Sequence, residues 1–234
     1  MSNVIHKVDA IICMYNEEVE KINFTLNGCL SQTYLFNKIF LVDNGSTIKF
    51  DKSLLLTNEE IQYIELPANK GISGARNAAL KLSNAEFIAC LNIDVVLDKN
   101  WLQQGLSALE EDKNAGCVFG EIIPDKDSLL SKWRMRFHEI QFNKLLKYTH
   151  FAPGHAVLFR KKAMDEVDGY NESLRLVMED SDICERIKIK GYETLYSPVM
   201  LSTSFQSNDI ELLSKKHIVR IGGATVEKNH GFSS

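Results

Sequence analysis

The stretch Lys38-Ile39-Phe40-Leu41-Val42-Asp43-Asn44-Gly45-Ser46 sets an apolar run directly against a polar glycine turn. A short apolar run bounded by turn residues reads as a buried strand. The same pattern recurs on both sides. Upstream, residues 8–14 (VDAIICM) form an apolar run that ends at Tyr15-Asn16-Glu17. Downstream, residues 61–66 and 86–91 are further strand candidates, the latter ending at Asn92-Ile93-Asp94. Helical spacing fills the intervals. Val19, Ile22, Leu26, Cys29 and Leu30 share one face, residues 73–83 put Ala75, Ala78, Ala79 and Leu82 on one side, and residues 101–111 are helical again. Strand and helix signals that alternate in this way predict an α/β fold with a mostly parallel central sheet flanked by helices.

Composition sets the outer limits. The 234 residues suit one α/β domain, or one domain with a small appended lobe. The net charge of −4 gives no basic field for nucleic acid, so none is expected as a partner. The five cysteines are scattered, odd in number and without a CxxC pair, which predicts reduced core thiols and a cytoplasmic location. No signal peptide and no stretch near the roughly 20 apolar residues of a membrane span is present. Any membrane association is therefore expected to be peripheral, at the inner face.

In an open parallel sheet, ligands bind beyond the carboxyl ends of the strands. Tyr15-Asn16-Glu17, Asp43-Asn44-Gly45-Ser46 and Asn92-Ile93-Asp94 all lie at such ends. Asp43 can accept hydrogen bonds from a ribose or a base N–H, or it simply closes an Asp-Asn-Gly turn. Asn69-Lys70-Gly71-Ile72-Ser73-Gly74-Ala75-Arg76-Asn77 leads a glycine loop into a helix. That entry suits an anion, with Arg76 on a phosphate or a base, or it is an ordinary helix start with a surface arginine. Asp94 can hold a hard divalent ion beside a leaving diphosphate, or cap the next turn. Glu179-Asp180-Ser181-Asp182 opens a helix. Its carboxylates can supply a general base, and Asp180 or Ser181 can equally serve as the N-cap.

Taken in order, YNE, VDNGS, NxGxxxARN, LNxD, GY and EDSDxxxRxxxxG resemble the family 2 glycosyltransferases of GT-A fold, over residues 8–198. The LNxD form is similar to a branch that includes rhamnosyltransferase-like members. The resemblance implies donor binding by Tyr15, Asn16, Glu17, Asp43, Asn69, Gly71, Arg76, Asn92 and Asp94. It implies Mn²⁺ or Mg²⁺ at Asp94, and Asp180, with Glu179 beside it, as the base of an in-line displacement that inverts the anomeric carbon. The expected donor is a nucleotide sugar, UDP-sugar first and dTDP-sugar next, used in cell-surface glycan synthesis.

Two departures stand out. Asn92 replaces the first DxD carboxylate, and Ser204 stands about where relatives carry a metal-binding histidine, so the ion is expected to be weak or dispensable. His217 and His230 are alternative ligands. A donor half at 1–125 and an acceptor half at 126–234 make up one domain. On the acceptor side, residues 128–148 form a basic, aromatic helical stretch containing Trp133, which suits a glycan or lipid-linked glycan acceptor, or is a plain packing helix. His155 and Asp182 are further acceptor-side candidates. Two other readings stand beside the enzyme. One is a catalytically degenerate module that binds a nucleotide sugar or glycan. The other is a nucleotidyltransferase, disfavoured because Tyr15-Asn16-Glu17-Glu18 is acidic where a triphosphate loop would be basic.

Overall fold

The structure is a computed structural model that describes residues 5–124 and 147–205. Its centre is β1 (Val8–Met14), in which every residue is buried. β1 pairs in parallel with β2 (Lys38–Asp43) on one side and β4 (Phe87–Asn92) on the other, and β3 (Ile61–Glu65) extends the parallel set beyond β2. Strands covered on both faces read as continuous apolar runs, which is why these elements were visible as such.

Side-chain alternation along β1 builds two cores. Val8, Ala10, Ile12 and Met14 face a layer that includes Ile22 and Leu26 of α1 (Val19–Leu30) and Trp101 and Leu106 of α3 (Trp101–Glu111). Ile11 and Cys13 face the opposite layer, with Ala75 and Ala79 of α2 (Gly71–Leu80). Ala163 and Met164 of α4 (Lys161–Asp165) and Ile183 and Ile187 of α5 (Glu179–Ile189) belong to that second layer. The five cysteines are free and buried, as expected of core thiols. Burial pushes the Cys13 and Cys29 thiols up to about 12.

Past β4 the sheet changes character. β8 (Ala156–Arg160) runs antiparallel to β4, and β6 (Ala115–Pro124) runs antiparallel to β8. β9 (Glu193–Ser204) returns parallel to β6, and the short β5 (Val95–Leu97) and β7 (Tyr148–Thr149) pair antiparallel with β9. The order is β3-β2-β1-β4-β8-β6-β9-β5. The parallel reading therefore describes the β3-to-β4 half, and the other half is mixed. β8 comes from the expected acceptor half yet lies between two strands of the donor half, so both halves share one sheet. The expected boundary at 125/126, Trp133 with the rest of the basic stretch up to residue 146, and His217 and His230 lie outside the described residues.

Candidate active site

Three strand ends converge as the sequence predicts, and each is fixed by its own hydrogen bonds. After β1, Asn16 adopts φ 54 and its amide oxygen accepts the N–H groups of Thr47 (2.8 Å) and Ile48 (3.0 Å). Its side chain ties the end of β1 to the loop after β2. Tyr15 is 42% exposed, and Glu17 is paired with Lys21 at 2.7 Å along α1. After β2, Asp43 is buried. Its Oδ1 accepts from the Ser46 N–H (2.8 Å) and its Oδ2 from the Tyr63 hydroxyl (2.9 Å). Burial, then this bond, holds the Tyr63 phenol well above its usual range. Gly45 has φ +71, and a Cβ there would fall 2.5 Å from the Ala68 carbonyl carbon, so the turn needs glycine. Asn44 and Asn69 complete the loop: the Lys70 N–H donates to Asn44 Oδ1 (2.9 Å), and the Gly71 N–H to Asn69 Oδ1 (2.8 Å).

The helix entry after this loop corrects the sequence reading. The α2 N-terminus was read either as an anion seat or as an ordinary helix start with a surface arginine. The Gly71 N–H is taken by Asn69, the Ile72 N–H donates to the Arg175 carbonyl (3.1 Å), and the Ser73 hydroxyl donates to the Leu174 carbonyl (2.6 Å). The first two backbone donors of α2 are thus already taken, one by Asn69 and one by the segment before α5. Arg76 is likewise no surface arginine. It is 1% exposed, and its guanidinium reaches Glu179 Oε1 (3.3 Å), Asn92 Oδ1 (3.1 Å) and the Gly154 carbonyl (3.1 Å), with its carbon 5.1 Å from the centre of the Tyr170 ring. A guanidinium so enclosed does not meet a donor phosphate in this arrangement. Asn77 does similar work next door, clasping Tyr170 through the Asn77 Nδ2 to Tyr170 carbonyl bond and the Tyr170 N–H to Asn77 Oδ1 bond, both 2.8 Å.

At the head of α5, N-capping by Asp180 or Ser181 is also corrected. The N-cap is Met178, at φ 69, which puts Glu179, Asp180 and Asp182 in the first helical turn. The mutual repulsion of three acids is divided among partners. Glu179 faces Arg76, and Asp182 Oδ2 is held by Arg186 at 2.7 Å through both Nε and a terminal nitrogen. Asp180 has no cationic partner among the described residues. Its Oδ2 accepts from the Gly154 N–H (3.1 Å) and its Oδ1 from the Ser181 N–H (2.8 Å). Each oxygen keeps a lone pair for a further proton or hydroxyl. His155 follows Gly154, and its carbonyl accepts the Asn92 N–H (2.8 Å), which locks this turn to the end of β4.

Asp94 lies two residues past Asn92, half-buried, with no hydrogen bond to its carboxylate among the described residues. It lines a hollow of about 240 Å³ with Lys21, Phe24, Ile93 and Phe205. Ser204, which stands about where a histidine was expected, ends β9. Ser204 pairs with Val95, so it shares the core face of Val95, and its hydroxyl is buried without a partner. Phe205 shares the Asp94 side: its N–H donates to the Asp94 carbonyl (2.8 Å), and its ring meets Phe24 edge-on at 4.9 Å. The described residues contain no cluster of three His, Cys, Asp or Glu side chains fit to hold a metal. What remains is one unengaged carboxylate. That donor set fits a hard ion taken with the oxygens of a diphosphate, and does not fit an all-protein cage.

Residues 9–168 match the profile of Glycosyl transferase family 2. The chain belongs to that family. Poly-beta-1,6-N-acetyl-D-glucosamine synthase of Staphylococcus aureus strain COL is 24% identical over 204 residues, covering 82% of this glycosyltransferase-family chain and 48% of that protein. The chain thus spans about half the length of that relative. Mannosyltransferase PcManGT of Pyrobaculum calidifontis, solved with GDP-Man and Mn²⁺, shares the fold at a TM-score of 0.70 and 17% identity, over 89% of this chain and 59% of that one. S. aureus TarS 1-349 in complex with UDP matches at 0.64 and 18%, over 86% and 61%. The fold is GT-A, a mixed sheet between helical layers.

Within this family 2 chain, the site also uses residues that the sequence did not single out. Gly154 was not among the candidates, although its carbonyl contacts Arg76 and its N–H contacts Asp180. Tyr63 lies in an alternating strand and Phe205 is a lone aromatic among polar residues, and nothing in either local pattern marks the ring as part of a site.

Proposed function

We propose that this family 2 chain is an inverting glycosyltransferase that takes a sugar from a nucleoside-diphosphate sugar, UDP-linked ahead of dTDP- or GDP-linked. One observation carries the reading: of the three acids heading α5, only Asp180 has no cationic partner among the described residues, and it is fixed by the same turn that abuts the end of β4. Asp180 takes the proton of an acceptor hydroxyl. The acceptor oxygen attacks the anomeric carbon from the face opposite the diphosphate, the carbon–oxygen bond to the diphosphate breaks, and the nucleoside diphosphate leaves with the electron pair. Configuration at that carbon inverts. Tyr15, Glu17, Asp43 and Asn69 border the donor, and Asp94 would hold a divalent ion. When bound, the ion offsets charge on the departing diphosphate. A glycan acceptor is supported by the name of the staphylococcal relative, which describes a polymer of aminosugar. His155 lies on the acceptor side. Peripheral membrane contact rests on residues 128–148 alone. No helix among the described residues is long and apolar enough to cross a membrane.

A thermal-shift panel tests this reading: UDP, dTDP, GDP and CMP, each with Mn²⁺, with Mg²⁺ and with chelator. A nucleotide at 100 times its Kd adds about 2.7 kcal/mol, roughly 5–10 °C for a domain of this size. A metal-dependent shift with UDP is expected. A shift that survives chelator would mean that the single carboxylate leaves the ion dispensable. No shift with any nucleotide would overturn the donor reading, and a shift without turnover would favour the degenerate binding module.

A further inference from the structure

We infer that Arg76 is a positioning residue that couples the end of β4 to Asp180 through the backbone of Gly154, and that Asn92 is neutral because a carboxylate there would compete with Glu179 for the Arg76 guanidinium. The inference rests on the proposed role of Asp180.

The geometry is a chain of directional contacts. Arg76 donates to Asn92 at the end of β4, to the Gly154 carbonyl and to Glu179 on α5. The N–H of that same Gly154 donates to Asp180 Oδ2 at 3.1 Å. Gly154 therefore receives a charge-assisted bond on one side and passes a bond to the base on the other. A Cβ at Gly154 would stand 3.4 Å from Asp180 Cβ, 3.5 Å from Glu179 Oε1 and 3.6 Å from an Arg76 terminal nitrogen, so the three groups surround this one residue. Arg76 and Glu179 are 103 positions apart, and the guanidinium is nearly sealed. The enclosure is what gives the contacts weight, since a sealed charge cannot replace a lost partner with water.

The neutral residue at position 92 follows from the same balance. A carboxylate there would offer the guanidinium a second negative partner within reach and draw it from Glu179. The Arg76–Glu179 pair at the head of α5 would then be weakened beside Asp180. An amide oxygen accepts the Arg76 hydrogen bond without adding charge. In this chain the departure from a two-carboxylate motif is therefore matched to a buried arginine, and the Asp94 carboxylate has no hydrogen-bond partner among the described residues.

The test compares wild type with Arg76→Gln, Glu179→Gln and the double variant. Three readouts are used: amide hydrogen exchange, UDP affinity by calorimetry, and UDP release from UDP-N-acetylglucosamine. In Arg76→Gln, exchange at Gly154 and the first turn of α5 should rise about tenfold or more while β1 and β2 stay protected. Kd for UDP should stay within about threefold while kcat falls on the order of 100-fold, the scale of a base misplaced by about 1 Å. Glu179→Gln is nearly isosteric and guards against loss of folding. It should give a smaller fall in kcat, and combining it with Arg76→Gln should add little. Unchanged exchange at Gly154 and α5 would overturn the coupling whatever the activity. Weakened UDP binding with kcat intact would overturn it in favour of a nucleotide ligand. If wild type neither binds UDP nor releases it from the probe, the functional reading falls, and the exchange result still decides the coupling.

Discussion

The two ends of the sheet are built by different rules. From β3 to β4 the strands are parallel and the chemistry gathers at their carboxyl ends, where Tyr15, Asp43 and Asn92 each follow an apolar run. From β8 to β5 the directions are mixed, and the candidate groups come from a loop and a helix start, Gly154 and Asp180. The first region positions groups by topology alone. The second relies on side chains that reach across from α2, chiefly Arg76 and Asn77. The comparison can be pressed at both ends and at the join.

The largest effect is expected in the second region. Asp180→Asn should lower kcat by about 10³-fold, within the range of a lost general base, while nucleotide binding stays nearly intact. Steady-state rates beside calorimetry check this, and full turnover by the variant would sink the base assignment. At the join, Gly71 sits at φ +73, and a Cβ there would lie 2.7 Å from the Arg175 carbonyl oxygen. Gly71→Ala should cost about 2–3 kcal/mol from left-handed strain and overpacking together. Scanning calorimetry should show Tm lower by about 5–10 °C, and an unchanged Tm would mean that the 172–176 segment does not press on α2.

The smallest effect belongs to the parallel region. Tyr63→Phe removes the bond to Asp43 and should cost about 1 kcal/mol at neutral pH. The Tyr63 phenol is raised in the folded chain, first by burial and then by that bond. The stability it contributes is therefore full below the ordinary tyrosine value of about 10 and is lost as pH climbs above it. Urea midpoints at pH 9 and pH 10.5 should fall further for wild type than for Tyr63→Phe. Equal falls would remove Tyr63 from the alkaline transition.

What was legible in the sequence follows the same division. β1 was readable to the residue and β2 nearly so, because strands buried on both faces are unbroken apolar runs and their polar ends stand out against them. β6 and β9 were hard to see. Their pairing shifts register at Gly120/Glu121, so Pro198, Val199 and Met200 of β9 fall between paired residues and blur any alternation. The acids of α5 were found by their density, but their division of labour was not, since it depends on Arg76 and Arg186 arriving from particular directions. Burial of Arg76 was invisible for the same reason. Its local neighbours are alanines of a helix face, and what seals it lies some 80 to 100 positions further on.

The insertion of β8 between β4 and β6 has a consequence during synthesis. β4 emerges as a strongly apolar strand, one edge of which finds its partner only when Ala156–Arg160 appears. That wait spans roughly 70 residues, on the order of 3–14 s at ordinary elongation rates. Throughout it, the most hydrophobic part of the nascent chain carries an open edge able to recruit other strands. A chain stopped short of Ala156 would therefore be left as a sticky fragment, not as a smaller working donor module, and the order of the strands binds the two halves in time as well as in space.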